Sequence, residues 1–327
     1  MSQYYSPIVY TVTEQEDGWL LKTVLQRRLL VSRKLLSKIK LTEQGVMLNG
    51  ERVYISVKVA AGDVVEVRME QEESDDILPE PIPFTVLYED EHLLIVNKDA
   101  GIIVHPTHGH YTGTLANGVV HYWKTKGERF RFRPIHRLDQ ETSGVLAIAK
   151  NPYVHQHVSE QMIAGTVDKK YIALVHGSPV PEQGSVDGPI DRDPEEPHRR
   201  IVTPDGYAAR TLYTTVTRWS GGSASAISLK LESGRTHQIR VHMTSIGCPL
   251  IGDRMYKTLP VHEIDEQTMV VRDERDSWIE RQALHACELT FEHPILQERI
   301  TFQAPLPADM AALEKRLNDE AAPREML

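Results

Sequence analysis

The N-terminal part of the chain combines two short helical patterns with short extended runs. Two amphipathic helices are predicted from apolar residues three and four positions apart: Trp19, Leu20, Val24 and Leu25 in the first, and Leu35, Leu36 and Ile39 in the second. Ser32 is the expected N-cap of the second helix, and Gly45 is its expected end. The dipeptide Asn49-Gly50 between two apolar runs predicts a β-hairpin, followed by a closing strand at residues 64–67.

The rest of the chain is dominated by short apolar or alternating runs, which predict strands. These runs cover residues 85–88, 93–97, 145–149 and 171–175. Two helices are predicted among the strands. The first begins at Asn151-Pro152 and ends at Gly165, and the second begins after Thr236 and ends before Gly247.

Composition places the chain among ordinary globular proteins. At ~150 residues per domain its length suggests about two domains, and 40% hydrophobic with 25% charged residues excludes collagen-like, low-complexity and disordered chains. The acidic run EQEESDD and the sequence PEPIP predict an extended linker between the domains. No run approaches the ~20 apolar residues of a membrane span, and no signal peptide is recognisable, so no membrane partner is expected.

The net charge of −9 argues against a protein that simply coats DNA, but the basic residues are clustered. Arg33, Lys34 and Lys38 lie in the second predicted helix, where they form either a solvated face or a nucleic-acid surface. The two cysteines, Cys248 and Cys287, are far apart and form no CxxC pair. A disulfide scaffold and a thiolate zinc site are therefore not expected, and the expected location is the reducing cytoplasm.

The sequence RPIHRLDQETSGVLAIAK, residues 133–150, places one carboxylate in a polar loop before a buried strand. A neighbouring guanidinium, such as that of Arg137, favours the ionised form of Asp139. An ionised carboxylate on a rigid strand edge suits nucleophilic or proton-abstracting chemistry. The alternative is structural: Asp139 would accept hydrogen bonds from the backbone of Thr142 and Ser143.

Histidines are the only other residues that raise the question of a metal. They occur in two groups: His105, His108 and His110, and then His237 and His242. Neither group has the i, i+4 pair with an intervening glutamate that marks a zinc protease. We therefore expect no metal site.

Residues 133–150 closely resemble the HRLDxxTSG signature of the RluA-type pseudouridine synthases. Three further segments resemble, in the same order, that family's leading strand and glycine turn, its tyrosine strand and its arginine helix: EDEHLLIVNKDAGIIVHP, KYIALVHG and LESGRTHQIRVHMTSIGCPLIGDRMY. Asp99 departs from the family pattern, because proline usually stands at this position. The four motifs occur in the family's order over roughly residues 85–305, which identifies the chain as a member of this family.

The N-terminal unit resembles the S-four RNA-binding module that is often joined to these enzymes. Trp19-Leu20-Leu21-Lys22 replaces the Arg-Leu-Asp-Lys start that is common in the module. The two resemblances imply an α+β fold, with a mixed, mostly antiparallel catalytic sheet flanked by helices. They also imply four segments: an S-four-like domain over 14–70, an acidic, proline-containing linker over 71–84, a catalytic domain over 85–305, and a tail over 306–327.

The resemblance further implies an enzyme that converts uridine in RNA to its C-glycoside isomer without a cofactor. Asp139 would be the catalytic carboxylate, Tyr171 would lie against the uracil, and Arg235 would pair with Asp139. Residues expected to contact RNA are Arg137, His136, Arg33, Lys34 and Lys38. Large-subunit ribosomal RNA is the favoured substrate, transfer RNA is possible, and a monomer is expected.

Two alternatives stay open at the level of sequence. The first is a catalytically silent RNA-binding or ribosome-assembly factor, which would leave uridine unmodified. The second is a carboxylate-dependent hydrolase, in which Glu141 is the nearest candidate for the second carboxyl group that most glycosidases need. Release of free uracil would distinguish hydrolysis from isomerisation.

Overall fold

The structure is a computed structural model that describes residues 4–256 and 265–322. The helices in these ranges are α1 (Leu21–Arg27), α2 (Arg33–Ile39), α3 (Leu115–Thr125), α4 (Pro152–Ile163), α5 (Gln238–Ser245), α6 (Glu266–Asp276) and α7 (Ala308–Ala321). The first eight strands are β1 (Ile8–Thr11), β2 (Val46–Leu48), β3 (Glu51–Arg52), β4 (Val64–Val67), β5 (Thr85–Glu89), β6 (Leu93–Lys98), β7 (Arg133–Pro134) and β8 (Ser143–Ala149). The other eight are β9 (Asp168–His176), β10 (Gln183–Asp187), β11 (Ile190–Arg192), β12 (Arg200–Val202), β13 (Arg210–Trp219), β14 (Ala224–Leu231), β15 (Leu284–Glu292) and β16 (Arg299–Gln303).

The N-terminal unit consists of α1, α2 and a four-stranded antiparallel sheet in the order β1-β4-β2-β3. Its predicted N-cap is confirmed, because the Ser32 side chain accepts a hydrogen bond from the backbone of Leu35 at 3.2 Å. The predicted hairpin is also confirmed, with Asn49 and Gly50 both at positive φ, as a type I′ turn requires. Strand β1 was not predicted.

The expected end of α2 at Gly45 is wrong, because the helix already ends at Ile39. Both the backbone N–H and the hydroxyl of Thr42 donate to the carbonyl of Ile39, at 3.1 and 2.9 Å. These two bonds satisfy one of the carbonyls that a helix leaves without a partner at its C-terminus. A threonine therefore closes this helix before the chain reaches the glycine.

A second, ten-stranded sheet has the order β10-β13-β14-β9-β15-β8-β6-β5, with β16 paired to β15 and β7 to β8. All of its described pairings are antiparallel except that between β15 and β8. The predicted fold class, α+β with a mixed, mostly antiparallel sheet and flanking helices, is confirmed. The four predicted strands are found within β5, β6, β8 and β9, whereas β13 to β15 were not predicted.

The parallel pair lies at the centre of this sheet and depends on a glycine. Gly144 in β8 has a φ of 121° and is paired with Ala286 in β15. A Cβ atom on Gly144 would lie 2.1 Å from the carbonyl oxygen of Ala286, so only glycine lets the two strands approach this closely. The loop that precedes β8 is thereby fixed over the middle of the sheet.

Helix α4 connects the large sheet to the N-terminal unit. Its predicted N-cap is confirmed, because Asn151 accepts from the backbone of Val154 at 2.9 Å. The hydroxyl of Tyr153 donates to the carbonyl of Leu29 at 2.9 Å. The side chain of Gln156 accepts from the backbone N–H of Ser32 at 3.0 Å and also donates to the turn before it. Hydrogen bonds therefore join the two units at this interface, and the buried apolar side chains of both units form one continuous core.

The C-terminal tail predicted over 306–327 contains α7, which packs on the large sheet through Met310, Leu313 and Leu317. The last five residues of this predicted segment lie outside the described residues. Among the helices that the structure describes, none combines the length and the apolar character needed to cross a membrane.

Candidate active site

A cleft of about 480 Å³ opens over the centre of the large sheet. Its walls are the loop between β7 and β8, the start of β9, and the turn that leads from β14 into α5. Five of the residues singled out from the sequence line this cleft: Asp139, Tyr171, Arg235, Arg137 and His136. The three motifs that contain them therefore meet in space, although they lie up to about a hundred residues apart in the chain.

Asp139 lies in a tight turn at the entrance to β8, and its side chain is half-buried. The backbone N–H of Thr142 donates to the backbone carbonyl of Asp139 at 3.0 Å and closes the turn. Within residues 4–256 and 265–322, the Asp139 carboxylate forms no hydrogen bond and no ion pair. The structural alternative, in which Thr142 and Ser143 bind this carboxylate, is not what the structure shows.

A fully buried lysine lies beneath this turn. The ammonium group of Lys98 donates to the carbonyls of Asp99 and Ile102 at 2.8 Å, and to that of Gln140 at 2.9 Å. Burial lowers the pKa of Lys98 to about 8, and the nearby charges of Glu141 and Asp139 oppose that shift. Because Gln140 follows Asp139 directly, this contact fixes the backbone beside the carboxylate.

Tyr171 is located in β9, opposite Leu229 of β14, and only 6% of its surface is exposed. Burial raises the pKa of its phenol, and the negative charge of Asp139 raises it further. The phenol is therefore protonated at neutral pH. Tyr171 and Asp139 both line the cleft.

Arg240 lies in the first turn of α5 and lines the same cleft as Asp139. Its guanidinium binds Asp253 through Nε at 2.6 Å and Nη2 at 2.8 Å, and both side chains are almost completely buried. Burial would lower the pKa of Arg240, but Asp253 and then Asp139 raise it. Arg240 therefore lines the cleft as a guanidinium whose position and plane are fixed by Asp253.

Arg235 does not make the ion pair expected from the sequence. Its side chain is exposed, its Nε donates to the carbonyl of Ala208 at 3.2 Å, and its guanidinium lies 5.5 Å from the ring centre of Tyr207. Among the described residues, it has no ion pair with Asp139. The reason is its position: Arg235 precedes α5 at the cleft rim, whereas Arg240 lies inside the helix. The sequence signal for Arg240 was an arginine flanked by the apolar residues Ile239 and Val241.

The turn into α5 is held by its own side chains. Gln238 accepts hydrogen bonds from the backbone of Arg235 at 3.0 Å and from the hydroxyl of Ser233 at 2.8 Å. His237 adopts a left-handed conformation with a φ of 57°, and its Nδ1 lies 2.9 Å from the hydroxyl of Tyr256. Burial lowers the pKa of His237, although the charge of Asp139 opposes the shift. This turn is thus rigid on the side that faces Asp139.

His136 and Arg137 occupy different environments although they are adjacent. The Nε2 atom of His136 accepts a hydrogen bond from the backbone of Ala147 at 3.3 Å. Burial lowers the pKa of His136 to about 4, and the charge of Lys169 lowers it further. His136 is therefore neutral and oriented by β8. Arg137 is exposed at the cleft mouth, where its charge is available to a ligand.

The basic residues predicted to bind RNA in the N-terminal unit are located on α2. Arg33 and Lys34 are exposed, and both side chains extend from the start of the helix. Lys38 forms an ion pair with Glu72, which also binds Arg133. Part of the charge of Lys38 is thus used to attach α2 to the segment that follows β4.

The histidines that raised the question of a metal are separated by the fold. His108 is in an exposed loop, where its Nδ1 lies 3.3 Å from the hydroxyl of Tyr111. His242 is fully buried and contacts the hydroxyl of Thr211 and the carbonyl of Gly188, each at 2.8 Å. In the part of the chain that the structure describes, no three His, Cys, Asp or Glu side chains are grouped as metal ligands.

The sequence and the fold of this chain are similar to those of known proteins. Residues 92–245 match the RNA pseudouridylate synthase family. The chain is 39% identical over 290 residues to the uncharacterized RNA pseudouridine synthase YjbO of Bacillus subtilis, an alignment that covers 88% of this chain and 96% of that protein. It is 35% identical over 318 residues to the ribosomal large subunit pseudouridine synthase D of Zymomonas mobilis, covering 94% and 96%. Among solved structures, the human RNA pseudouridylate synthase domain containing 4 protein matches with a TM-score of 0.56 at 26% identity, over 72% of this chain and 93% of that one.

Proposed function

Because the chain belongs to the RNA pseudouridine synthase family, whose members are isomerases, we propose that it converts specific uridines in structured RNA to pseudouridine. One observation supports the proposal most directly. Asp139, Tyr171 and the buried Arg240 line a single cleft, at a turn where the Asp139 carboxylate is left open to a ligand. The members of this set come from three distant segments of the chain, which makes a purely structural coincidence a poor explanation.

The proposed reaction rearranges a nucleoside without adding or removing atoms. The bond between N1 of uracil and C1′ of the ribose breaks, the detached base turns, and a bond forms between C5 and C1′. The proton on C5 is lost and N1 becomes protonated, so no oxidant, reductant or water is consumed. A uridine stacked inside folded RNA must first be flipped out, at a cost of a few kcal/mol.

Asp139 is the proposed catalytic carboxylate. It either attacks C1′ or removes a proton from C2′, and both routes require an ionised side chain beside the ribose. Arg240 is proposed to line the cleft beside this carboxylate, in an orientation that Asp253 fixes. Tyr171 is proposed to lie against the uracil ring, where stacking contributes ~1–3 kcal/mol per base. Its protonated hydroxyl is proposed to assist removal of the C5 proton as a relay, which accepts this proton while it passes its own to solvent.

Arginines at the mouth of the cleft are proposed to hold the RNA around the flipped nucleotide. Arg137 would occupy the space that the base leaves in the helix. Arg235 lies at the opposite rim, where an exposed guanidinium suits a phosphate group. His136 is proposed to support this wall through its hydrogen bond to β8, as a neutral side chain.

The N-terminal unit is proposed to be an S-four-like RNA-binding domain over residues 14–70, joined by the linker 71–84 to a catalytic domain over 85–305 and a tail over 306–327. Two helices followed by a hairpin, with Arg33 and Lys34 exposed on the second helix, support this assignment. Lysine and arginine on such a face give salt-dependent contacts to phosphates that are largely independent of sequence. The chain is proposed to act as a monomer.

Large-subunit ribosomal RNA is the proposed substrate. The support is the name of the Zymomonas mobilis relative, a ribosomal large subunit pseudouridine synthase, which aligns with 94% of this chain. Position-resolved mapping of pseudouridine in cells with and without the gene tests this choice. Loss of sites in transfer RNA alone would overturn it.

The catalytic proposal is tested by incubating the purified protein with RNA transcribed without modifications. We expect pseudouridine to form, and we expect Asp139→Asn to abolish its formation while RNA binding stays nearly intact. Glu141→Gln is the matched control, because Glu141 is nearby in sequence but is absent from the described residues that line the cleft. Turnover by Asp139→Asn would contradict the assignment, and free uracil would indicate hydrolysis instead.

A further inference from the structure

Arg281, just before β15, is a buried cation whose guanidinium reaches the turn that contains Asp139. It is 6% exposed, although arginine is among the residues least often buried. Its Nη1 donates to the backbone carbonyl of Glu141 at 3.0 Å, and to those of Gln282 and Leu284 at 3.2 and 3.0 Å. The contact with Glu141 joins two segments that are 140 residues apart in the chain.

The other edge of this guanidinium is bound to the C-terminal helix. Asp309, in the first turn of α7, accepts from Nε of Arg281 at 2.7 Å and from its Nη2 at 3.0 Å. Such two-point pairing fixes both the position and the plane of a guanidinium. Burial alone would raise the pKa of Asp309, but its hydrogen bonds to Arg281 hold it below the usual range. Asp309 is therefore ionised at neutral pH.

A second contact reaches the turn through Ser143, the first residue of β8. Nη2 of Arg281 donates to the Ser143 hydroxyl at 3.3 Å, and this hydroxyl lies 2.9 Å from Nδ1 of His285. The Nε2 atom of His285 lies 3.2 Å from the carbonyl of Ala304, which can only accept. Since burial lowers the pKa of His285, the ring is neutral, with its proton on Nε2. Nδ1 therefore accepts from Ser143, and the lone pairs of Ser143 face Arg281.

We infer that Arg281 is a positioning residue for Asp139, and that Asp309 makes α7 part of the support of the active site. The turn from Asp139 to Ser143 is then held from two sides. Lys98 binds the carbonyl of Gln140, and Arg281 binds the carbonyl of Glu141. This role rests on the proposed function of Asp139 and goes beyond it, because neither Arg281 nor Asp309 lines the cleft among the described residues.

The geometry explains why such support is needed. The Asp139 carboxylate has no hydrogen-bond partner of its own among the described residues, so its position follows from the backbone that carries it. A misplacement of about 1 Å in a catalytic group can cost on the order of 10²-fold in rate. Lys98 and Arg281 bind the carbonyls of two consecutive residues, Gln140 and Glu141, and these bonds limit how far the backbone beside Asp139 can move.

The test compares two ion pairs made by the same helix, α7: one with Arg281, just before β15, and one with Arg275 of α6. Asp309→Ala removes the partner of Arg281, whereas Glu320→Ala removes the partner of Arg275, which Glu320 binds through two contacts of 3.0 Å. Arg275 contacts Ser223 and not the Asp139 turn. Both variants should lower the melting temperature, so the control separates loss of helix attachment from loss of positioning.

The measurements are the single-turnover rate constant for pseudouridine formation and the Kd for RNA, taken well below the melting temperature of each variant. We expect Asp309→Ala and Arg281→Lys to lower the rate constant at least tenfold with Kd changed less than twofold. Asp309→Glu keeps the carboxylate and should therefore recover part of the rate constant. Glu320→Ala should have the rate constant of the wild type.

Wild-type rate constants in both Asp309→Ala and Arg281→Lys would overturn the inference, as would an equal loss in Glu320→Ala. Failure of the proposed function has a different signature. In that case the unmodified protein forms no pseudouridine, or Asp139→Asn remains active, whatever the variants of Arg281 and Asp309 do.

Discussion

Arg240 is bound at two points by Asp253, through Nε and Nη2 at 2.6 and 2.8 Å, and its charge acts on the carboxylate of Asp139. The guanidinium of Arg240 thus forms hydrogen bonds with Asp253 and also interacts electrostatically with Asp139. The pairing with Asp253 fixes the plane of the guanidinium, so that the positive charge beside Asp139 does not depend on a mobile side chain.

Arg240 and Arg235 are therefore expected to differ sharply when each is replaced by lysine. Arg240→Lys keeps the positive charge but loses the two-point hydrogen bonding to Asp253. We therefore expect the single-turnover rate constant to fall at least about tenfold and the melting temperature to decrease. Arg235→Lys, at the exposed rim, should change the Kd for RNA by a few-fold and leave the rate constant unchanged. A reversed pattern would show that Arg235 moves to Asp139 when RNA binds.

Tyr171→Phe is expected to separate turnover from binding. The ring stays in place and can still stack on a base, so the Kd for RNA should change less than about threefold. If the hydroxyl assists proton removal from C5, the rate constant should fall ~10²–10⁴-fold, the usual contribution of a positioned acid or base. Because the raised pKa of Tyr171 keeps the phenol protonated, the wild-type rate should show no inflection from this group between about pH 6 and 9. A fully active phenylalanine variant would leave Tyr171 only a stacking role.

His136 is expected to make stability fall as the solution is acidified. Its folded-state pKa of about 4 is below the unfolded value of about 6.5, so the unfolded chain binds the proton more readily. The stabilisation is complete above about pH 6.5 and is lost progressively toward pH 4, by up to about 3 kcal/mol. His136→Gln keeps an acceptor for Ala147 but does not titrate, so its melting temperature should fall less between pH 7.5 and 5. Equal slopes for both proteins would contradict this assignment.

Gly144→Ala is expected to disrupt the centre of the large sheet. The new Cβ would meet the carbonyl of Ala286 at 2.1 Å in a backbone conformation that alanine avoids, so we expect a loss of at least about 3 kcal/mol. Gly165→Ala is the control, because Gly165 also has a positive φ, 71°, but nothing within 4 Å of a Cβ. That change should cost about 1–2 kcal/mol, which is the conformational penalty alone. Urea unfolding of both variants measures the difference.

Local signals in the sequence predicted the caps and turns that are formed by residues close together in the chain. Ser32 and Asn151 begin helices because each side chain caps a backbone N–H three residues ahead, and Asn49-Gly50 forms the turn its conformation favours. Helix α3 was missed although it has a local start, in which Thr114 accepts from the backbone of Asn117 at 3.4 Å and Asn117 accepts from the backbone of Thr114 at 2.9 Å. Its Asn117 is a poor helix former, yet it is fully buried and donates to the carbonyl of Leu78, 39 residues away.

The candidate site was predictable where a residue belongs to a local motif, and not where its role depends on packing. Asp139 and Tyr171 were identified, and the structure brings both to the cleft. Arg240 was not singled out from the sequence, because its burial and its contact with Asp253 arise only when the turn after α5 folds against the helix. Arg281 gave no local signal, since its contact with the carbonyl of Glu141 joins residues that are 140 positions apart in the chain.

The place of β15 in the sheet determines when the molecule can be completed during synthesis. Strands β5, β6 and β8 form one half of the sheet, strands β9, β14, β13 and β10 form the other, and β15 is the strand between the two. It spans Leu284–Glu292, so both halves are translated before the strand that joins them. A nascent chain still on its ribosome thus exposes two unpaired strand edges until this last segment leaves the exit tunnel. Of the two buried cations that bind the turn of Asp139, Lys98 is made before the turn and Arg281 is made 140 residues after Glu141, so a chain that ends before β15 has this turn held from one side only.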